Sequence, residues 1–162
     1  MDWSRTRAYS FGLSGIYFNK QGRESRGIVA DAEVGALKEE IAARLKKEPA
    51  VLRVYDSSAV YHGPYVNNGP DLIVGFREGW RASWESAVGT VQTRVVTENT
   101  KVWQGDHCVD QSLVPGVFFC NRPLEGESNP VITDIAPTVL KTMGIPVPSY
   151  MDGKPIPLKI MR

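Results

Sequence analysis

The densest group of side chains that could carry out chemistry is the segment Gly105-Asp106-His107-Cys108-Val109-Asp110. An imidazole can ligate a metal ion or transfer a proton, and a nearby carboxylate can orient it or join the coordination shell. We therefore consider His107 as the reactive group and Asp106 or Asp110 as its orienting partner. On the local pattern alone, a loop histidine paired with a neighbouring carboxylate is the simpler interpretation.

A second candidate is the segment Tyr61-His62-Gly63-Pro64-Tyr65. Glycine and proline predict a turn, and the flanking aromatic rings could contact a substrate or pack within the loop. A substrate contact by His62 and Tyr65 is thus one interpretation, and a purely structural loop is the other.

The two cysteines do not form a recognisable metal or redox motif. A zinc site made of His107, Cys108 and Cys120 would lack a fourth ligand. Adjacent side chains of an extended backbone also point in opposite directions, so the first two of these residues would not converge. We expect two reduced thiols in the core. The sequence contains no phosphate-binding glycine loop, dinucleotide fingerprint or nucleophile elbow.

The elements that must position these residues alternate between strands and helices. Apolar and β-branched runs predict strands over 14–19, 51–56, 71–76 and 116–120, with a weaker one over 92–97, and we expect 71–76 and 116–120 to be central and buried. Apolar residues at helical spacing predict a helix that starts at the N-cap Asp31 and is closed by Pro49. A second helix starts at Asp134 and stops at Gly144. This alternation predicts an α/β fold.

Composition narrows the class of protein. The 162 residues are 42% hydrophobic and 23% charged, with a formal net charge of +1, as in an ordinary globular domain. We therefore expect one domain over residues 1–162 and no binding to nucleic acid. No apolar run approaches the roughly 18 residues of a membrane helix, and there is no signal peptide, so we expect a cytoplasmic protein without a membrane partner.

Taken together, the segments resemble the carboxyl-terminal portion of the alkaline phosphatase superfamily. The similarity is to its phosphohydrolase/phosphomutase branch, which is related to type I phosphodiesterases and nucleotide pyrophosphatases. It covers nearly the whole chain, and the matching segments share their order and spacing with the family: 2–9, 22–24, 61–65, 70–75, 105–107, 134–140 and 151–155.

This resemblance implies a partial alkaline-phosphatase-like fold, a mixed sheet flanked by helices. It also implies a pair of divalent metal ions, zinc or manganese, that act on a phosphate ester. The Gly-Asp-His motif of the phosphodiesterase relatives supplies one metal ligand, which corresponds to His107 here. Cys108 stands where those relatives commonly have glycine.

The family's Thr or Ser nucleophile and its other early metal ligands correspond to sequence upstream of residue 1. The family also uses three histidines, and this chain has two. We therefore expect metal binding and turnover only when upstream sequence completes the site, and no turnover from this polypeptide alone. The alternative is a non-catalytic binding or oligomerisation module that forms homo-oligomers through exposed sheet edges.

Overall fold

The computed structural model describes residues 1–90, 93–102, 108–126 and 129–159. Contacts divide the chain into two compact units, Met1–Val114 and Pro115–Arg162. A division by contacts does not decide whether the units fold separately, so the single domain over residues 1–162 stays a prediction. No helix within the described ranges has the length and apolarity needed to cross a membrane.

The first unit is built on a four-stranded sheet in the order β1-β2-β4-β3, in which every neighbouring pair is antiparallel. The strands predicted over 14–19, 51–56 and 71–76 are confirmed, and the last of them is central as expected. The strands are β1 (Ala8–Phe11), β2 (Gly15–Phe18), β3 (Val51–Asp56) and β4 (Leu72–Phe76).

Strands β2 and β3 run in the same direction because both are antiparallel to β4, which lies between them. Helix α1 (Asp31–Leu45) connects them, so the three elements form a split β-α-β unit. The segment from β3 to β4 holds only α2 (Ser57–Val60) and a 3-10 turn (Val66–Asn68). It contains no long helix that could carry the chain back across the sheet, and β4 pairs antiparallel with β3. The mixture of α and β elements is therefore confirmed, whereas the described sheet is antiparallel rather than mixed.

One face of the sheet packs against α1 and forms the core. Phe18, Val29, Leu37 and Leu72 are buried together, and α1 adds Val34 and Ile41 to this cluster, so the helical spacing of apolar residues is confirmed. The helix begins one residue earlier than predicted, because Ala30 is the N-cap and the Glu33 carboxylate accepts a hydrogen bond from its backbone N–H at 2.9 Å.

The opposite face of the sheet, here called the second face, carries aromatic side chains. Side chains alternate along a strand, so the register that places Phe18 and Leu72 in the core turns Tyr17 and Ile73 to the second face. The rings of Tyr9 and Tyr17 stack there with centroids 5.5 Å apart. Tyr55 and Gly75 belong to the same face by their pairing in the β3–β4 ladder.

The predictions of strands over 116–120 and 92–97 are wrong. Residues 116–120 form no strand, and the side chains of Val117 and Phe119 are 78% and 89% exposed. Cys120 is exposed as well, rather than a core thiol. Residues 93–97 are also irregular, with Val95 fully exposed, and Gln92 lies outside the described residues. An apolar run becomes a strand only when another strand pairs with it, and neither segment has such a partner within the described chain.

The second unit contains a helix and a loop that are hydrogen-bonded to each other. Helix α4 (Ile135–Thr142) follows a 3-10 turn (Ile132–Asp134), and Gly144 ends it with a φ of +72°, as predicted. The Asp134 carboxylate accepts the backbone N–H of Lys154 at 2.8 Å, and the Thr138 hydroxyl accepts that of Ile156 at 2.8 Å. The 151–155 loop is therefore fastened to the start of α4.

In the first unit, a further short helix is α3 (Trp84–Ala87).

Candidate functional site

Asp110 is the most deeply buried charged residue near the predicted reactive segment, at 1% exposure. Its carboxylate lies on the second face against Gly75, where a Cβ atom would come within 2.1 Å of Oδ2. Oδ2 accepts the Tyr55 hydroxyl at 2.8 Å, and Oδ1 accepts the backbone N–H and the hydroxyl of Ser112 at 3.0 and 2.6 Å. Glycine at position 75 thus makes room for this carboxylate.

Asp110 is held as an anion. Burial by itself raises the pKa of its carboxyl group, but the hydrogen bonds from Ser112 and Tyr55 outweigh that effect, and the net result is a lowered pKa. The Arg53 side chain on the same face lowers it further. The carboxylate is therefore suited to accept hydrogen bonds, and unsuited to act as an acid near neutral pH.

The backbone around Asp110 is anchored to the sheet as well. Its N–H donates to the carbonyl oxygen of Phe76 at 2.8 Å, at the end of β4, and its side chain caps the 3-10 turn Gln111–Leu113. Because the backbone and the side chain of Asp110 are both fixed, the loop that contains it has a defined position on the sheet.

A pocket of about 330 Å³ opens beside this anchor on the second face. It is bordered by β4 and Tyr55, by the segment 108–111, and by the β1–β2 turn and the end of α2. The lining residues are Leu13, Ser14, Tyr55, Val60, Tyr61, Ile73, Val74, Gly75, Cys108, Val109, Asp110 and Gln111.

The residues predicted from sequence are distributed unevenly around this pocket. His107 and Asp106 lie outside the described residues, so their predicted roles in metal binding and orientation stay predictions. Asp110 lines the pocket, and Cys108, the residue after His107 in the sequence, does so too. His62 and Tyr65 are exposed and do not line it, although Val60 and Tyr61 immediately before them do. A substrate contact by His62 or Tyr65 is thus still a prediction.

The described residues by themselves do not provide a metal site. Within those residues, no three His, Cys, Asp or Glu side chains converge on a point where they could hold a metal ion. The Asp110 oxygens already accept three hydrogen bonds from Tyr55 and Ser112. Metal binding by His107 therefore stays a prediction.

A second buried carboxylate fastens the loop that contains His62 and Tyr65. Asp71, which ends this loop, is 6% exposed and accepts two hydrogen bonds from the Arg23 guanidinium, at 2.7 and 3.3 Å. It also accepts the backbone N–H of Phe18 at 2.7 Å, and the ammonium group of Lys20 lies 3.6 Å away. This clamp joins the turn after β2 to the start of β4.

Sequence reasoning missed Tyr55 and Gly75 as parts of the site, and within the segment 61–65 it selected His62 and Tyr65 rather than Tyr61. Gly75 stands alone in an apolar run and matches no glycine motif, so its role is visible only once Asp110 lies against it. Tyr55 and Tyr61 flank the short helix α2. The sequence feature that could have predicted this helix is the N-cap Asp56, whose carboxylate accepts the Ser58 N–H at 3.0 Å.

Comparison with models of known protein families, with curated protein sequences and with solved structures finds no match to this chain.

Proposed function

We propose that the chain is the carboxyl-terminal segment of a metal-dependent phosphohydrolase or phosphodiesterase of the alkaline phosphatase superfamily, inactive by itself. Its substrate is a phosphate ester, and hydrolysis or phosphoryl transfer within the substrate are both compatible with such a site. His107 is the proposed metal ligand, and sequence upstream of residue 1 supplies the nucleophile and the remaining ligands. The proposed location is the cytoplasm.

The observation that carries this proposal is the pocket wall formed by residues 108–111. The residue next to His107 lines a concave site, and Asp110 fixes the same loop to the sheet through backbone and side-chain hydrogen bonds. A precisely held loop at the edge of a pocket is what a metal ligand needs.

The chemistry that a pair of divalent metal ions supplies in such enzymes is stabilisation of the attacking and leaving oxygens during phosphoryl displacement. This chain would contribute one ligand, the pocket and the anionic Asp110. The lowered pKa of Asp110 suits a group that orients an imidazole by accepting its N–H.

The test is to express the reading frame that precedes residue 1 together with this chain, and to assay p-nitrophenyl phosphate and bis(p-nitrophenyl) phosphate with Zn²⁺ or Mn²⁺. We expect metal-dependent turnover from the complex and none from the chain alone. His107→Ala should lower kcat by about 100-fold or more, since loss of a ligand disrupts the metal site.

His62→Ala is the matched histidine variant, and we expect it to raise KM with little change in kcat, as for a substrate contact. Turnover by the complex that survives in His107→Ala would refute the proposal. A folded complex without turnover would also refute it, as would an upstream frame without a Thr or Ser nucleophile and an Asp-His motif.

A second candidate function is a non-catalytic module that associates with itself. It is favoured by the exposed apolar run at 116–120, with Val117 at 78% and Phe119 at 89% exposure. Strands β1 and β3 are moreover the edges of the described sheet. Exposed apolar side chains and strand edges both promote association. Sedimentation of the chain over a wide concentration range should then reveal dimers or larger species, and a strictly monomeric chain would exclude this function.

A further inference from the structure

The pocket on the second face is lined mainly by apolar and aromatic groups. Leu13, Val60 and Ile73 contribute aliphatic surface, and Tyr55 and Tyr61 contribute two phenol rings. The polar groups of Tyr55 and Asp110 are bonded to each other at 2.8 Å, so they are not available in full to a ligand. Such a surface favours a ligand that is apolar where it enters the pocket.

The size of the pocket limits the ligand further. An apolar cavity of about 150 Å³ already accepts benzene, and sites for larger organic ligands begin at about 300 Å³. A pocket of about 330 Å³ therefore accommodates one or two aromatic rings.

We propose that this pocket binds the aryl group of an aromatic phosphate ester, with Tyr61 as the wall that contacts the ring. The inference rests on the proposed function, because it assigns the alcohol part of the ester to a site lined by residues 108–111, which follow His107 in the sequence. It differs from the sequence prediction in the residue that recognises the substrate, since Tyr61 lines the pocket and Tyr65 does not.

Tyr61 and Tyr65 form a matched pair for the experiment. They lie in one loop, have the same side chain and are exposed by 53% and 78%, so truncation of either one is compatible with folding. The probe is 4-fluorophenol, whose binding to the full chain is followed by ¹⁹F NMR in the absence of metal ions.

We expect saturable binding to the wild-type chain. Tyr61→Ala should weaken it about fivefold, which corresponds to the loss of one aromatic contact. Tyr65→Ala and Tyr61→Phe should each stay within about twofold of wild type, because the first changes no pocket residue and the second keeps the ring. Urea unfolding of each variant, measured by tryptophan fluorescence, verifies the fold.

Absence of saturable binding to the wild-type chain overturns the inference, and so does an equal loss in the two alanine variants. Binding of cyclohexanol as tight as that of 4-fluorophenol would also overturn it, because the pocket would then not distinguish an aromatic ring from an aliphatic one. The probe has neither phosphate nor metal, so this outcome is independent of the phosphohydrolase assay. The pocket can therefore fail while the proposed function stands, and the reverse can also occur.

Discussion

Two buried aspartates lie at opposite ends of β4, and they differ in what surrounds them. Asp71, just before the strand, is met by the cationic side chains of Arg23 and Lys20. Asp110, which packs beside Gly75 near the end of the strand, is met at hydrogen-bond distance by neutral donors of Tyr55 and Ser112. Both carboxylates are buried, but only the first is balanced by opposite charge in direct contact.

This difference indicates that Asp71 has a structural role, whereas Asp110 is suited to a binding site. An ion pair balances the charge of Asp71, and its partners hold the adjoining loop in place. Asp110 keeps its negative charge through dipoles, so that charge still acts on nearby groups in the pocket. The location of Asp110 on the pocket wall agrees with this distinction.

The largest expected effect is that of Asp71→Asn. The variant leaves Lys20 without its ion-pair partner and Arg23 with only Glu24, while both cations are largely buried. We therefore expect the free energy of unfolding to fall by about 3 kcal/mol. All four tryptophans precede residue 115, so tryptophan fluorescence during urea unfolding reports on the first unit.

The control for this variant is Arg7→Gln, which breaks the half-exposed ion pair between Arg7 and Glu33. It should cost less than about 1 kcal/mol, because solvent screens an exposed pair. If the two variants had the same small effect, the view of Asp71 as a buried clamp would be wrong.

A smaller effect is expected for Gly75→Ala, which introduces a Cβ atom into the space of the Asp110 carboxylate. The 2.1 Å approach to Oδ2 cannot persist, so the loop 108–112 must move, at a cost of about 1–3 kcal/mol. Asp110→Ala in the same chain removes Oδ2 and leaves a 3.1 Å contact with the aspartate Cβ.

Asp110→Ala should therefore lower the free energy of unfolding less in the Gly75→Ala chain than in the wild-type chain. A double-mutant cycle from urea unfolding measures this coupling. Strict additivity of the two substitutions would show that Gly75 and Asp110 are not in contact.

The smallest effect is expected for Tyr55→Phe, which removes one hydrogen bond to Asp110 and costs about 1 kcal/mol at pH 7. The pKa of Asp110 is lowered in the folded state, so its contribution to stability is present above the unfolded pKa and is lost as the pH falls through the folded pKa. In Tyr55→Phe the pKa of Asp110 is lowered less, because one of the hydrogen bonds to the carboxylate is missing.

The difference in stability between wild type and Tyr55→Phe should therefore stay constant from pH 7 down to the ordinary carboxyl value of 3.8 and shrink as the pH falls further, to about 2. Thermal unfolding at matched ionic strength over this range measures it. A difference that is constant with pH would mean that the Tyr55 hydroxyl does not favour the ionised form of Asp110.

The sequence predicted well those elements whose signals are local. Helix α1 follows from apolar residues at helical spacing, and its Glu40–Arg44 ion pair forms at 2.8 Å. The end of α4 follows from Gly144, because an L side chain rarely adopts a φ of +72°. The first residue of α1 was placed one position too late, since capping by Glu33 involves the backbone of Ala30.

Signals that depend on distant partners were less informative. The run 116–120 has the composition of a buried strand, yet none of it is buried and Val117 and Phe119 are exposed, because composition cannot supply a pairing strand. The candidate site shows the same limit. Asp110 was selected from its local cluster, whereas Tyr61 was passed over for Tyr65 within the same loop.

The sequence by itself determined which segments become α1, α4 and strands β2, β3 and β4, because periodicity, caps and turn residues act over a few neighbouring positions. Only the tertiary structure decided that β4 lies between β2 and β3, and that Asp110 packs on Gly75 beside a pocket. Those contacts join residues far apart in the chain, and their energy depends on shape and hydrogen-bond geometry that local patterns do not encode.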